Sequence, residues 1–434
     1  MAFTPNSRRT PKKWRPSATA RHGRWTRALA VVLTTAGLVG QAPAGLVGQA
    51  PAAAYAEGAR DRQWYLDRMH VDEIWKKTTG EGIKIAVIDS GVNPSTPSLK
   101  GQVLPGRDAS VPEGGGPDTS DRTGRGTTTA ELIAGTGAGG GLQGLAPGAR
   151  IIPIRVPDLR HDELPSIYDH VDQAIRMALE RDARIITISV GSEYVIGAGS
   201  TASRYALRDA LAKGVLVFAG SGDNAKEGNE ELTPARFHEV VSVGATGPNG
   251  KVADFSQYSD RVNIAAPGVG FPRWCDASFT RYCPDGGGTH TAAALASASA
   301  ALLWSLHPDW TSTQVLRVMY DTAGRGPGWK PGTVSVYLGH GVIRPGAHIN
   351  RGLGDPGPPD PGEMPKFIHP VTPSPSPTPQ PKPTRTPTPT QKPASTTATG
   401  TEPTTPALVA TGTAAALLGA LATAWIVKRR RRAG

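Results

Sequence analysis

The sequence predicts an α/β fold, a parallel sheet with helices on both faces, together with one transmembrane helix near the C-terminus. Apolar, β-branched runs recur at Ile83–Ile88, Arg150–Val156, Ile185–Val190, Val215–Ala219, Val240–Val243 and Val262–Ala265. Helix-like segments lie between or after several of them, at Thr127–Ala134, Ser166–Leu179, Ala202–Ala212 and Thr289–Leu306. Strands that are apolar throughout, rather than alternating, are buried on both faces, which is the condition of a parallel sheet covered by crossover helices. The third observation is Ala407–Val427, a charge-free stretch followed at once by Lys428 and Arg429–Arg432.

In chain order, the first segment is a secretion signal over residues 1–56. Arg8, Arg9, Lys12, Lys13, Arg15, Arg21, Arg24 and Arg27 form its basic region, and the apolar stretch Ala28–Val39 follows. That stretch is short of the roughly 20 residues that span a bilayer, so it reads as a signal rather than an anchor. Ala54-Tyr55-Ala56 offers small residues at alternate positions for cleavage after Ala56, and Ala44 offers an earlier site.

Residues 57–351 form the one large domain, long enough for a substantial core. From 352 to 406 the chain is dominated by Pro, Thr and Ser, as in Pro373-Ser374-Pro375-Ser376-Pro377-Thr378-Pro379. Such a composition cannot bury a core and favours extended conformations of about 3.1 Å per residue, the character of a linker. The span at 407–427 is long enough, at about 1.5 Å per residue, to cross the hydrocarbon layer. Its basic tail, 428–434, stays cytoplasmic, which places everything before it outside the cell membrane.

The net charge of +11 is concentrated at the two ends, so the high pI gives no support to a nucleic-acid partner. The two cysteines, Cys275 and Cys283, lie close together in an exported domain, where a disulfide is expected over two unrelated thiols or a redox pair.

In sheets of this kind the chemistry gathers at the C-terminal ends of the strands. The first strand ends in Ile88-Asp89-Ser90-Gly91, Gly124-Arg125-Gly126-Thr127 opens a helix, and Gly144-Leu145-Ala146-Pro147-Gly148 follows it. Beyond these come Ser189-Val190-Gly191, Ala253-Asp254-Phe255-Ser256, Ala266-Pro267-Gly268 and Gly288-Thr289-His290-Thr291.

Taken in this order, the segments resemble the subtilisin-like serine proteases (subtilases) across nearly the whole domain. The opening Gln63-Trp64-Tyr65-Leu66, the Pro-rich linker and the C-terminal anchor are most similar to the mycosins, membrane-anchored subtilases associated with type VII secretion. The resemblance implies a subtilisin-like sheet. It also implies a catalytic Asp, His and Ser with an oxyanion donor, because a serine hydroxyl needs a His to take its proton and an Asp to orient that His.

Asp89 matches the family's Asp. The family's His-Gly-Thr appears here as Arg125-Gly126-Thr127, and its Gly-Thr-Ser as Gly288-Thr289-His290. The oxyanion donor, an Asn in the family, is matched by Asp223, with Asn224 adjacent. Arg125 cannot act as a base near neutrality, His290 has no base to activate it, and Asp223 repels a developing oxyanion. In subtilisin, loss of the Ser or the His alone costs on the order of a millionfold in turnover.

The resemblance thus implies a pseudoprotease in which Arg125 pairs with Asp89, serving a type VII secretion membrane complex or an exported protein or peptide. The alternative is an active serine endopeptidase processing exported proteins. It needs a different nucleophile, and Ser297 and Ser299 fall deeper in the helix. The family's Ser-Leu-Gly strand, which binds substrate backbone, appears as Ser189-Val190-Gly191. No cofactor is implied. A metal on Asp89, Asp223 and His290 is opposed by Arg125, so no metal site is expected, whereas Arg125 and the helix start at His290 together suit a peptide carboxylate. His238 and His307 read as structural or solvated.

Overall fold

The computed structural model describes residues 59–111, 116–157, 166–192, 198–327, 329–330 and 333–359. The expected signal segment, most of the linker, the span Ala407–Val427 and the basic tail lie outside the described residues. Among the described residues no helix is long and apolar enough to cross a membrane.

The elements run α1 (Trp64–Arg68), α2 (Val71–Trp75), β1 (Lys84–Asp89), β2 (Arg107–Asp108), α3 (Arg125–Ala134), β3 (Arg150–Arg155), α4 (Ser166–Leu179), β4 (Ile185–Ile188) and α5 (Ala198–Ala212). They continue with β5 (Leu216–Gly220), β6 (Val241–Thr246), β7 (Val262–Pro267), β8 (Val269–Trp274), β9 (Tyr282–Gly287), α6 (Thr289–Leu306), α7 (Ser312–Asp321) and α8 (Pro345–Ile349).

The seven-stranded sheet has the order β2-β3-β1-β4-β5-β6-β7, and its neighbouring strands pair in parallel. Six of its strands fall on the apolar runs expected from the sequence, with ends differing by a few residues. β2 is a two-residue edge strand, too short to leave a periodic signal. The chain passes from β1 outward to β3 and returns to β4 on the other side of β1. This reversal opens a crevice at the C-terminal end of β1, the usual location of a site in an open α/β sheet.

Strand periodicity divides the core into two layers. Ile85 and Val87 of β1 pack with α3 and α6 on one face, while Ala86 and Ile88 pack with α4 and α5 on the other. β4 repeats the division, with Ile185 in the first layer and Ile186 and Ile188 in the second. Both faces of the strand are apolar because both are covered.

Helix α6 is buried along nearly its whole length, from Thr289 to Trp304. Its alanines let it lie close beneath the sheet. At the closest approach, a Cβ on Gly220 at the end of β5 would stand 2.5 Å from the backbone carbon of Thr289. Only glycine allows β5 to abut the first turn of α6 and so bring that turn to the crevice.

The antiparallel pair β8–β9, absent from the sequence expectation, follows directly on the sheet. Cys275 and Cys283 close it by a disulfide, with Cα atoms 5.0 Å apart, as expected. The segment Gln63–Leu66 packs against this hairpin. Trp64 donates to the Val269 carbonyl at 3.0 Å, and its ring stacks on Phe271.

Candidate active-site cleft

Asp89 is the last residue of β1 and is wholly buried. Its Oδ1 accepts from Arg125 Nε at 2.7 Å and from the Ser90 N–H at 2.7 Å, and its Oδ2 accepts from Thr129 Oγ1 at 3.0 Å. Burial pushes this carboxyl upward. The Arg125 charge and hydrogen bond, the Ser90 N–H and the proximity of His290 outweigh it and hold Asp89 below the ordinary carboxylate range.

Arg125 is the first residue of α3, and its side chain is 24% exposed. Its backbone is set by a network that the sequence reading did not anticipate. Asp121, nearly buried, accepts from the N–H groups of Thr123, Gly124 and Thr127 and from the hydroxyls of Ser90 and Thr127. Ser90 Oγ in turn accepts from the Gly126 N–H at 3.1 Å. A single carboxylate thus satisfies donors at the start of α3 and fastens them to the end of β1. The signal for it was present as Asp121-Arg122-Thr123, a short acid and hydroxyl just ahead of a helix start. Gly126 fits because a Cβ there would collide with the Gly91 carbonyl.

The first turn of α6 faces this pair. His290, its second residue, is 26% exposed at the side chain, with Nδ1 3.9 Å from Asp223 Oδ2. Desolvation lowers the His290 pKa. Asp223 and Asp89 pull it back up and Arg125 adds to the lowering, with a net result below the ordinary histidine value. The contact of His290 with Asp223 is an ion pair only when the ring is protonated.

It is Asp223, on the loop after β5, that reaches the helix start, where its Oδ1 accepts from the Thr289 N–H at 2.8 Å. Thr289 Oγ1 accepts from the Gly222 N–H at 3.0 Å, closing the junction. The carboxylate sits on the positive end of α6, where it is stabilised by the unpaired N–H groups and the helix dipole.

These contacts bear on the expected carboxylate site: Arg125 Nε is bound by Asp89 and the Thr289 N–H by Asp223, so an incoming carboxylate would meet the remaining donors of each. Each positive element already holds an internal acid.

The structure brings Asp89, Arg125, Asp223 and His290 together. Ser189, Val190 and Gly191 extend from the end of β4: the Ser189 N–H bonds to the Ile88 carbonyl at 3.1 Å, Val190 is half-buried and Gly191 is exposed. Ser192 then bridges to Thr233 in both directions, beyond that edge. Ser297 and Ser299 are fully buried within α6. Among the described residues no group of three or more His, Cys, Asp or Glu side chains is arranged to hold a metal ion.

A parallel sheet whose β1 ends in a buried acid, with the first turns of α3 and α6 brought against it, is the framework of a subtilisin-like peptidase. The chain belongs to the subtilase family, whose pattern matches residues 80–341. It is 32% identical over 201 residues to the major intracellular serine protease of Bacillus subtilis (strain 168), covering 45% of this chain and 61% of that protein. The match thus spans about three fifths of that relative's length.

Among solved structures it is similar to MycP1 from the ESX-1 type VII secretion system, with a TM-score of 0.58 and 26% identity over 70% of this chain and 89% of that one. MycP3 protease from the type VII (ESX-3) secretion system follows, with a TM-score of 0.55 and 27% identity over 68% and 90% of the two chains. The chain's structural neighbours are therefore the mycosins, as its motifs suggested.

Proposed function

We propose that this protein is a subtilase-like pseudoprotease, a binding or scaffolding component with its domain outside the cell membrane. The observation that carries the reading is the bond of 2.7 Å from Arg125 Nε to Asp89. The acid that orients the general base in a working triad is here consumed by a permanent cation. A triad needs a group that accepts a proton beside a hydroxyl that gives one. Arg125 accepts no proton near pH 7, and among the described residues the hydroxyl beside His290 is that of Thr291, 3.4 Å from Nε2, rather than a serine. Where a developing oxyanion would need donors, Asp223 presents an acceptor and takes up the Thr289 N–H.

What survives is shape. The edge at Ser189, Val190 and Gly191 suits an added peptide strand, and its companion is an exported protein or peptide, or the membrane complex of a type VII secretion system. The similarity to MycP1 and MycP3 supports that context. The charge-free stretch Ala407–Val427 supports a single-pass anchor, with the Pro-rich linker holding the domain away from the membrane.

A fluorophosphonate probe tests the proposal directly. The purified chain should show no covalent labelling at any serine under conditions that label subtilisin to completion. Stoichiometric labelling of one serine would establish an active serine endopeptidase instead.

A further inference from the structure

At the far end of α6 from the cleft, the structure joins two histidines that sequence position keeps apart. His307 caps the C-terminus of α6, and His348 lies on α8. Their Nε2 atoms are 2.9 Å apart. His307 had read as structural or solvated; its pairing changes what it can do.

Both rings are held by partners that leave these nitrogens facing each other. His348 Nδ1 lies 2.7 Å from the Leu353 carbonyl, which can only accept, so the His348 proton sits on Nδ1 and Nε2 carries a lone pair. His307 stacks on Trp310 with ring centroids 3.9 Å apart and planes within 7°. The Trp310 N–H donates to the His307 carbonyl at 3.1 Å, and the Trp310 carbonyl accepts from Trp304 Nε1 at 2.8 Å. A ring nitrogen oriented by a backbone carbonyl on its other side is the usual preparation of a metal-binding imidazole. Both side chains are half-buried and reachable from solvent.

We propose that His307 and His348 form a two-imidazole site for a divalent late transition metal of the copper(II) or nickel(II) type. Imidazole ligands and the general order of divalent affinities favour these ions. Two nitrogens at about 2.05 Å from one ion lie about 2.9 Å apart when they subtend a right angle, and about 3.35 Å apart at the tetrahedral angle. The observed 2.9 Å, with ring centroids 5.1 Å apart, is the head-on separation of a hydrogen bond, so both rings turn before their lone pairs converge on one ion. In the metal-free pair a proton on His307 Nε2 fills the gap. On binding, His307 keeps one proton, now on Nδ1, both Nε2 lone pairs turn to the ion, and water completes the coordination. The ion ties α6 to α8, and thereby to the segment through which the chain leaves the domain.

The test uses the purified full chain, stripped of metal with a chelator and titrated with copper(II). Because the chain has 10 histidines, the reading is a difference. H307Q/H348Q should bind one equivalent fewer, and each single variant at that site should bind at least tenfold more weakly. Copper should also quench part of the tryptophan emission in the unsubstituted chain, and W310F should lose that part. Should the substituted chains fold poorly, diethyl pyrocarbonate footprinting of the unsubstituted chain answers the same question. Bound copper should protect His307 and His348 selectively. Superimposable titrations, or equal modification of both histidines with and without copper, would overturn the proposal and leave a simple hydrogen bond.

Discussion

Replacing Arg125 with alanine is the sharpest test of how the cleft is built. Asp89 is fully buried, and Arg125 supplies its only ion pair among the described residues, with the side chain 24% exposed. Removing one partner of a buried pair typically costs about 3–5 kcal/mol, because the remaining charge stays desolvated. The partial exposure of Arg125 and the donors retained from Ser90 and Thr129 argue for the lower end. The expected loss is about 3 kcal/mol at pH 7, or a fall of roughly 6–10 °C in Tm.

The pH dependence carries a distinctive sign. In the native chain Asp89 is held below its ordinary value, so its contribution is present above the unfolded carboxylate range and is lost as pH falls through the folded pKa. Without Arg125, burial is left dominant and the carboxyl rises above the ordinary range, so the variant regains ground as Asp89 takes up a proton. Urea denaturation of native and R125A chains at pH 7 and pH 4.5 reads both effects. The gap should be about 3 kcal/mol at neutral pH and clearly smaller in acid. Equal stabilities at pH 7, or a gap that is constant with pH, would refute the account of Asp89 as a buried anion that depends on Arg125.

Further predictions concern the surroundings of the cleft. Glu131 is buried on α3 and accepts from Thr96, Trp274 and Tyr282, yet burial still pushes its pKa to about 7. A carboxyl raised in the folded state stabilises most below its unfolded pKa and loses that contribution as pH climbs. Glu131's contribution to stability should therefore fall by about 3 kcal/mol between pH 4.5 and 7, and the difference between native and E131Q denaturation curves should show that component. Removing the disulfide as C275S/C283S opens a loop with a sequence separation of 8 and should cost about 2.5 kcal/mol by chain entropy, measured as a shift in urea midpoint. D223A deletes the acceptor at the Thr289 N–H and should cost about 1 kcal/mol, the usual worth of a helix-start acceptor, with no gain of peptide hydrolysis.

The order of motifs along the chain revealed the class of fold because each motif is local. Uninterrupted apolar runs such as Ile85–Ile88 record burial on both faces, and the glycine turns beside Asp89 and Arg125 record close backbone approach. Legibility ended with features that depend on distant partners. Asp121 is an ordinary loop acid until Ser90 and the start of α3 meet around it. The β8–β9 hairpin was missed because much of β9, Tyr282–Gly287, is polar or glycine. It is held instead by a disulfide and by Trp274 and Tyr282, whose rings stack with centroids 3.9 Å apart.

By itself the sequence determined the order of the motifs, and that order led to the expectation that Asp89, Arg125, Asp223 and His290 stand where a subtilase carries its acid, base, oxyanion donor and nucleophile, because residue identity and motif order are one-dimensional facts. Only the tertiary structure decided what those side chains do to one another. Whether Arg125 meets an incoming anion or Asp89, and whether the α6 terminus is open or held by Asp223, depends on distances of a few ångströms between segments more than 30 residues apart. Charge interactions and hydrogen bonds fall off over that length, so they are fixed by packing and not by spacing along the chain.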